Sequence, residues 1–98
     1  MIEEVLGTPL RIRIILALWR MGEVNTTELA KRLETNYSQL TVHIRLLSSY
    51  GIIEERRIGR VRLVKLKNVR HVEMLARALD DADKMLSTRN KIMPLNNG

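Results

Sequence analysis

Residues 25–50 carry the signals of two helices separated by only three residues, and few folds accommodate that spacing. Asn25-Thr-Thr-Glu28 has the form of a capping box, in which the Asn25 side chain and the Glu28 side chain satisfy each other's free backbone N–H groups. It opens a short helix over Thr26–Leu33 that turns Leu29, Ala30 and Leu33 inward. Glu34-Thr-Asn36 breaks it, and Asn36 is a good cap for a second helix over Tyr37–Tyr50, ended by Gly51. That helix has a single narrow apolar stripe, Leu40, Ile44 and Leu47, at i, i+4 and i+7. Two helices joined by so short a turn, the second buried along one stripe only, make a helix-turn-helix.

The period then changes. Ile52–Arg57 and Val61–Leu66 are β-type runs joined by Ile58-Gly-Arg60, where Gly59 supplies the positive φ of a tight hairpin. A basic hairpin directly after a helix-turn-helix reads as a wing spanning residues 53–66.

Upstream, Thr8 can cap a helix that has Pro9 at its first position and stops near Gly22. Leu10, Ile14, Ala17 and Leu18 make one apolar face of it; Ile12, Ile15, Leu16 and Trp19 widen that face. A surface helix needs only one stripe, so this one is expected between the domain core and a partner subunit. Downstream, Asn68 caps a long helix over Val69–Asn90, with Val72, Leu75, Leu79, Ala82 and Leu86 spaced as a heptad seam. At 1.5 Å per residue this helix is about 30 Å long, more than a winged core of this size can cover. Pro94 ends it.

The fold class expected is mainly α with a two-stranded β-wing: a winged helix-turn-helix over residues 1–67, a C-terminal dimerisation helix over 68–93 and a disordered tail over 94–98. The homodimer interface is expected from Ile2, Val5, Leu6, Ile12, Ile15 and Trp19 together with Val72, Leu75, Leu79, Ala82 and Leu86.

Ninety-eight residues give one domain and a small core, and the absence of Cys removes disulfides as staples. Packing against a second copy is the natural supplement. The net charge of +6 favours a polyanion as partner. A membrane is not expected: the longest apolar stretch, Ile14–Trp19, is too short to span one, and the start, Met1-Ile-Glu-Glu4, is acidic where a secretory signal would be basic. The expected location is the cytoplasm, at the nucleoid. Three aromatic residues, Trp19, Tyr37 and Tyr50, are too few for the stacking platforms of single-strand and RNA binders. Duplex DNA remains.

Reading a duplex needs an element for the major groove, donors for base edges and cations for phosphates. With Leu40, Ile44 and Leu47 buried, the second helix offers Tyr37, Ser38, Gln39, Thr41, Val42 and Arg45 as base-reading residues. Gln39 suits adenine, and Arg45 suits guanine or a phosphate. Backbone or minor-groove contacts are expected from Thr27, His43, Arg56, Arg57, Arg60, Arg62 and Lys65. From Arg56 to Arg70 there are seven Lys or Arg and no acid, more than protection of an edge strand requires. His43 reads as a structural or phosphate-contacting residue rather than a metal ligand.

Leu6-Gly-Thr-Pro-Leu-Arg-Ile-Arg-Ile-Ile15 resembles the opening of ArsR-type winged-helix regulators. Thr27-Glu-Leu-Ala30, Asn36 through Leu47, Gly51-Ile-Ile53 and Arg57-Ile-Gly-Arg60 fall where that family's pattern puts them, so the resemblance covers about residues 5 to 67. MarR-like and archaeal Lrp-like small regulators share much of it. It implies a dimeric repressor-like protein whose third helix enters the major groove. Founding members sense metals through a Cys-x-Cys motif that would fall on Asn25 and Thr27, which supply no soft ligand. The family's other site would draw on the last helix, where His71, Glu73, Asp80, Asp81 and Asp83 lack the paired-His pattern. Neither metal sensing nor a cofactor is expected; a small effector is left open. The aspartates read as a solvated face or as partners for basic residues across a dimer.

Two His, no Cys and no phosphate-cradling loop leave no catalytic constellation, so an enzyme is not expected. Two rival readings are an architectural, chromatin-like protein of low sequence specificity and a winged helix used for protein–protein contact. The lack of Cys, a single Gln and many Ile and Arg suit a thermophilic or archaeal source, whereas six Asn point the other way.

Overall fold

A computed structural model describes residues 1–92, with side chains through residue 88. The expected tail over 94–98 and the stop at Pro94 lie outside the described residues. The elements run α1 (Ile2–Val5), α2 (Pro9–Met21), β1 (Val24–Asn25), α3 (Thr26–Leu33), α4 (Tyr37–Ser49), β2 (Ile53–Ile58), β3 (Val61–Leu66) and α5 (Arg70–Ile92).

Local chemistry sets the helix starts. The Thr8 hydroxyl accepts from the Arg11 N–H at 3.3 Å, with Pro9 next to it at the first helical position. Asn25 accepts from the Glu28 N–H and Asn36 from the Gln39 N–H, each at 2.7 Å. The helix-turn-helix corner is made at Glu34, whose φ of 54° puts a side-chain-bearing residue in the left-handed region.

Two elements were not anticipated, the one-turn α1 and the strand β1. The wing is therefore not a two-stranded hairpin alone but two strands of a three-stranded antiparallel sheet, ordered β1-β3-β2. Val24 pairs with Val64, and Asn25 with Leu63. A two-residue strand has no period to detect; only its pairing with β3 defines it.

The core lies where α2, α3, α4, the sheet and the first half of α5 meet, around Ile14, Leu18, Leu29, Leu40, Ile44, Leu47, Val64, Val72 and Ala76. This corrects the expected dimer interface. Val5, Ile15 and Val72 are 3%, 0% and 1% exposed, packed inside their own subunit and out of a partner's reach. The two-sided apolar pattern of α2 is mostly explained by its central position, flanked by α3, α4, β3 and α5.

The heptad seam of α5 also divides. Val72, Ala76 and Asp80, at i, i+4 and i+8, form a buried stripe on the side packed against α2. Leu75 and Leu79 are half-buried, while Ala82 and Leu86 are exposed. Asp80 accepts from Arg20 Nε at 2.7 Å and pairs with Lys84 at 3.0 Å; Asp83 pairs with the same Arg20 at 2.9 Å. These two aspartates tie α5 to α2 within one chain.

Candidate nucleic-acid interface

At ~100° per residue, burying Leu40, Ile44 and Leu47 points Ser38, Val42, Arg45 and Ser49 of α4 directly away from the core, and all four are exposed. Gln39 is exposed on one flank; its side-chain oxygen accepts from the Thr35 hydroxyl at 3.3 Å. Its amide NH2 has no protein partner among the described residues. Thr41 is half-buried, and its hydroxyl donates back to the Tyr37 carbonyl at 2.8 Å, so it is less available than Ser38 or Gln39.

His43 is half-buried on the same flank of α4 as Gln39, one turn further along. Arg11 Nε donates to its Nδ1 at 3.1 Å, which requires an imidazole whose Nδ1 is unprotonated. Burial, and then the Arg11 charge, hold its pKa below the usual histidine value. His43 therefore bridges α4 to the start of α2.

The wing sorts its cations by the period-2 pleat. Cross-strand pairing aligns Ile53 with Leu66, Glu55 with Val64 and Arg57 with Arg62 on one face, and Glu54 with Lys65 and Arg56 with Leu63 on the other. The first face is apolar and buried at its root and continues outward beside α4, where Arg45, Glu55, Arg56, Arg57 and Arg62 line a polar cleft of about 400 Å³. The second face points away from α4 by register, although Arg56, on the edge strand, also borders that cleft. Its Arg56 forms a two-pronged pair with Glu23, both contacts at 2.8 Å, and Lys65 lies 3.9 Å from Glu54. Arg62 faces α4 but is bound to Glu55 at 2.5 Å and to the Tyr37 hydroxyl at 2.9 Å. Hydrogen bonds from Thr26, first, and Arg62 pull the Tyr37 phenol below its ordinary pKa.

Five wing cations, Arg56, Arg57, Arg60, Arg62 and Lys65, were thus expected to act alike, and three of them, Arg56, Arg62 and Lys65, are ion-paired within the fold. Arg57 and the tip residue Arg60 have no carboxylate partner among the described residues. Gly59, at φ 61°, occupies the first central position of the tight turn that presents Arg60. Arg60 shares a cleft of about 300 Å³ with Thr27 and Lys31 of α3 and with Tyr37. Lys31 was not singled out from sequence, although its spacing of i, i+4 from Thr27 puts both on one side of α3.

Among the described residues no cluster of His, Asp and Glu could hold a metal ion, and no helix is long and apolar enough to cross a membrane.

The geometry has counterparts among solved structures. HlyU from Vibrio cholerae N16961 superposes with a TM-score of 0.76 at 22% identity, covering 83% of this chain and 86% of its own. A transcriptional regulator homologue from Pyrococcus horikoshii OT3 gives 0.69 at 22% identity, covering 87% and 86%. The MarR family transcriptional regulator SPO1453 from Silicibacter pomeroyi DSS-3 gives 0.69 at 24%, covering 80% and 55%. At these identities the likeness shows the fold, a winged helix-turn-helix. No curated protein sequence matches the chain. The family model described as a helix-turn-helix domain matches residues 6–56, just over half of the chain and the stretch that holds α2, α3, α4 and the start of the wing. The chain belongs to the helix-turn-helix domain family.

Proposed function

We propose that this protein is a sequence-specific double-stranded DNA-binding transcriptional regulator that acts as a homodimer and represses by occluding a promoter. One observation carries the reading: Ser38, Gln39, Val42 and Arg45 project from the open face of α4 on the side of the sheet where Arg57 stands. Placed in the major groove, α4 offers hydrogen-bonding groups to base edges and Val42, 62% exposed, to a thymine methyl. Arg57 and Arg60 then reach the flanking backbone or minor groove. The Pyrococcus and Silicibacter structures, a transcriptional regulator homologue and a transcriptional regulator, support the same role. Within the family we place the chain with ArsR-type regulators, without their thiolate sensor, because Asn25 is occupied in capping α3.

Dimerisation is carried by what α5 leaves uncovered. Met74, Met85 and Leu86 are 59%, 73% and 62% exposed and lie outside the buried stripe, while half-buried Leu75 packs at the edge of the core. Ile2 of α1, 53% exposed, lines an apolar cleft of about 530 Å³ together with Met1, Tyr50, Ile52 and Leu75. A second copy covering this side would set two α4 helices in successive major grooves, about 34 Å apart.

Selection of bound duplexes from a random pool tests the proposal. Enrichment of a pseudo-palindrome with half-sites one helical turn apart is the expected result. Uniform recovery would favour the architectural reading, and no recovery would refute DNA binding. Sedimentation of a Met85→Glu, Leu86→Glu double variant tests the dimer: it should run as a monomer.

A further inference from the structure

We infer that Arg62 and Tyr37 are positioning residues that lock the wing to the recognition helix, rather than DNA contacts in their own right. β1 supports β3 only at Leu63 and Val64, so from Arg62 outward the wing is a lone two-stranded hairpin. Such hairpins are marginally stable by themselves and wander about their root. Arg62 is the first residue beyond that support, and it ties the hairpin back. Its guanidinium donates to the Tyr37 hydroxyl at 2.9 Å and to Glu55 Oε1 at 2.5 Å, and lies 6.0 Å from the Tyr37 ring centroid. The Tyr37 hydroxyl also accepts from Thr26 Oγ1 at 3.2 Å, and Thr26 is 2% exposed at the start of α3.

One chain of contacts therefore joins α3, α4, β3 and β2. The Arg62 side chain is only 17% exposed, and Glu55 balances its charge. It adds little to the field a phosphate would feel, and reaching one would mean giving up both partners. A tip held at one angle keeps Arg57 and Arg60 where the groove-bound helix needs them, which is pre-organisation.

The test begins without DNA. The chain has no Cys, so spin labels at Ile58→Cys and Ser49→Cys report the distance between wing tip and α4 in otherwise intact protein. Tyr37→Phe, which removes only the hydroxyl, and Arg62→Gln should each broaden that distance distribution, with circular dichroism confirming that both variants stay folded. An unchanged width in both folded variants overturns the lock.

The DNA arm rests on the function proposed above and is read separately. If the wing-competent fraction falls to between a third and a tenth, specific-duplex affinity weakens about three- to tenfold, while the salt dependence of binding keeps its slope. A slope reduced by about 0.9 per subunit in Arg62→Gln would instead mark Arg62 as a phosphate contact. If the unaltered protein binds no duplex, the free-protein distances still decide the lock, and only the regulatory reading is lost.

Discussion

The sorting of wing cations makes a quantitative prediction. Each cation that neutralises a DNA phosphate contributes about 0.9 to the slope of log affinity against log salt. Arg57 faces α4 and Arg60 sits at the tip, and neither has a carboxylate partner among the described residues. Replacing both by Gln should lower the slope by about 1.8 per subunit, or about 3.6 in a symmetric dimer. For one subunit, a rise from 50 to 200 mM salt would then weaken the unaltered protein about 12-fold more than the variant. Replacing Arg56 and Lys65 instead removes the same formal charge from the opposite face, where Glu23 and Glu54 already offset it. That variant should change the slope far less, because cations already paired with carboxylates in the fold are not free to displace counterions from phosphates. The assay is fluorescence anisotropy of a labelled duplex titrated at four or five salt concentrations. Equal slope losses in the two variants, or no loss in Arg57→Gln, Arg60→Gln, would refute the assignment of the two wing faces.

Three further outcomes test the frame that carries the interface. Asn36→Ala removes the cap of α4 and should destabilise the fold by about 1 kcal/mol in urea unfolding. Glu34→Gly relieves a left-handed residue worth about 1–2 kcal/mol while adding about 0.5–1 kcal/mol of backbone entropy, so a net gain near 0.5 kcal/mol is expected in the same assay. Acid should weaken the fold in two stages, followed by thermal unfolding against pH. His43 has a lowered folded pKa, so the unfolded chain binds its proton first and stability declines as pH falls from about 6.5 through the lowered value. Asp80, held below its ordinary value by Lys84 and then Arg20, keeps its contribution above about pH 3.9 and loses it at lower pH. His43→Gln should abolish the upper stage and Asp80→Asn diminish the lower one.

The helix-turn-helix was legible because its signals are short-range. Thr8, Asn25 and Asn36 each cap an N–H three residues ahead, and the structure starts α2, α3 and α4 at the expected residues. The stripe Leu40, Ile44, Leu47 is fully buried, as its spacing requires. For α5, periodicity found the helix but not its partner. Val72 and Leu86 belong to one heptad pattern, yet the first packs against its own subunit and the second is exposed. An apolar residue carries no mark of which chain will cover it.

The exposed side of α4 was likewise readable, since it is the complement of the buried stripe. The wing was not. Seven same-sign residues between Arg56 and Arg70 looked equivalent, but the partners that divide them, Glu23, Glu54 and Glu55, lie outside that stretch. Chain chemistry over three or four residues decided where helices begin, where the corner falls and that a basic hairpin follows. Tertiary structure alone decided that Val24 and Asn25 form a strand, that Arg20 holds Asp80 from 60 residues away and that Arg56 meets Glu23 across 33. Caps and stripes act within one helical turn, whereas ion pairs and burial depend on which distant segments the closed core brings together.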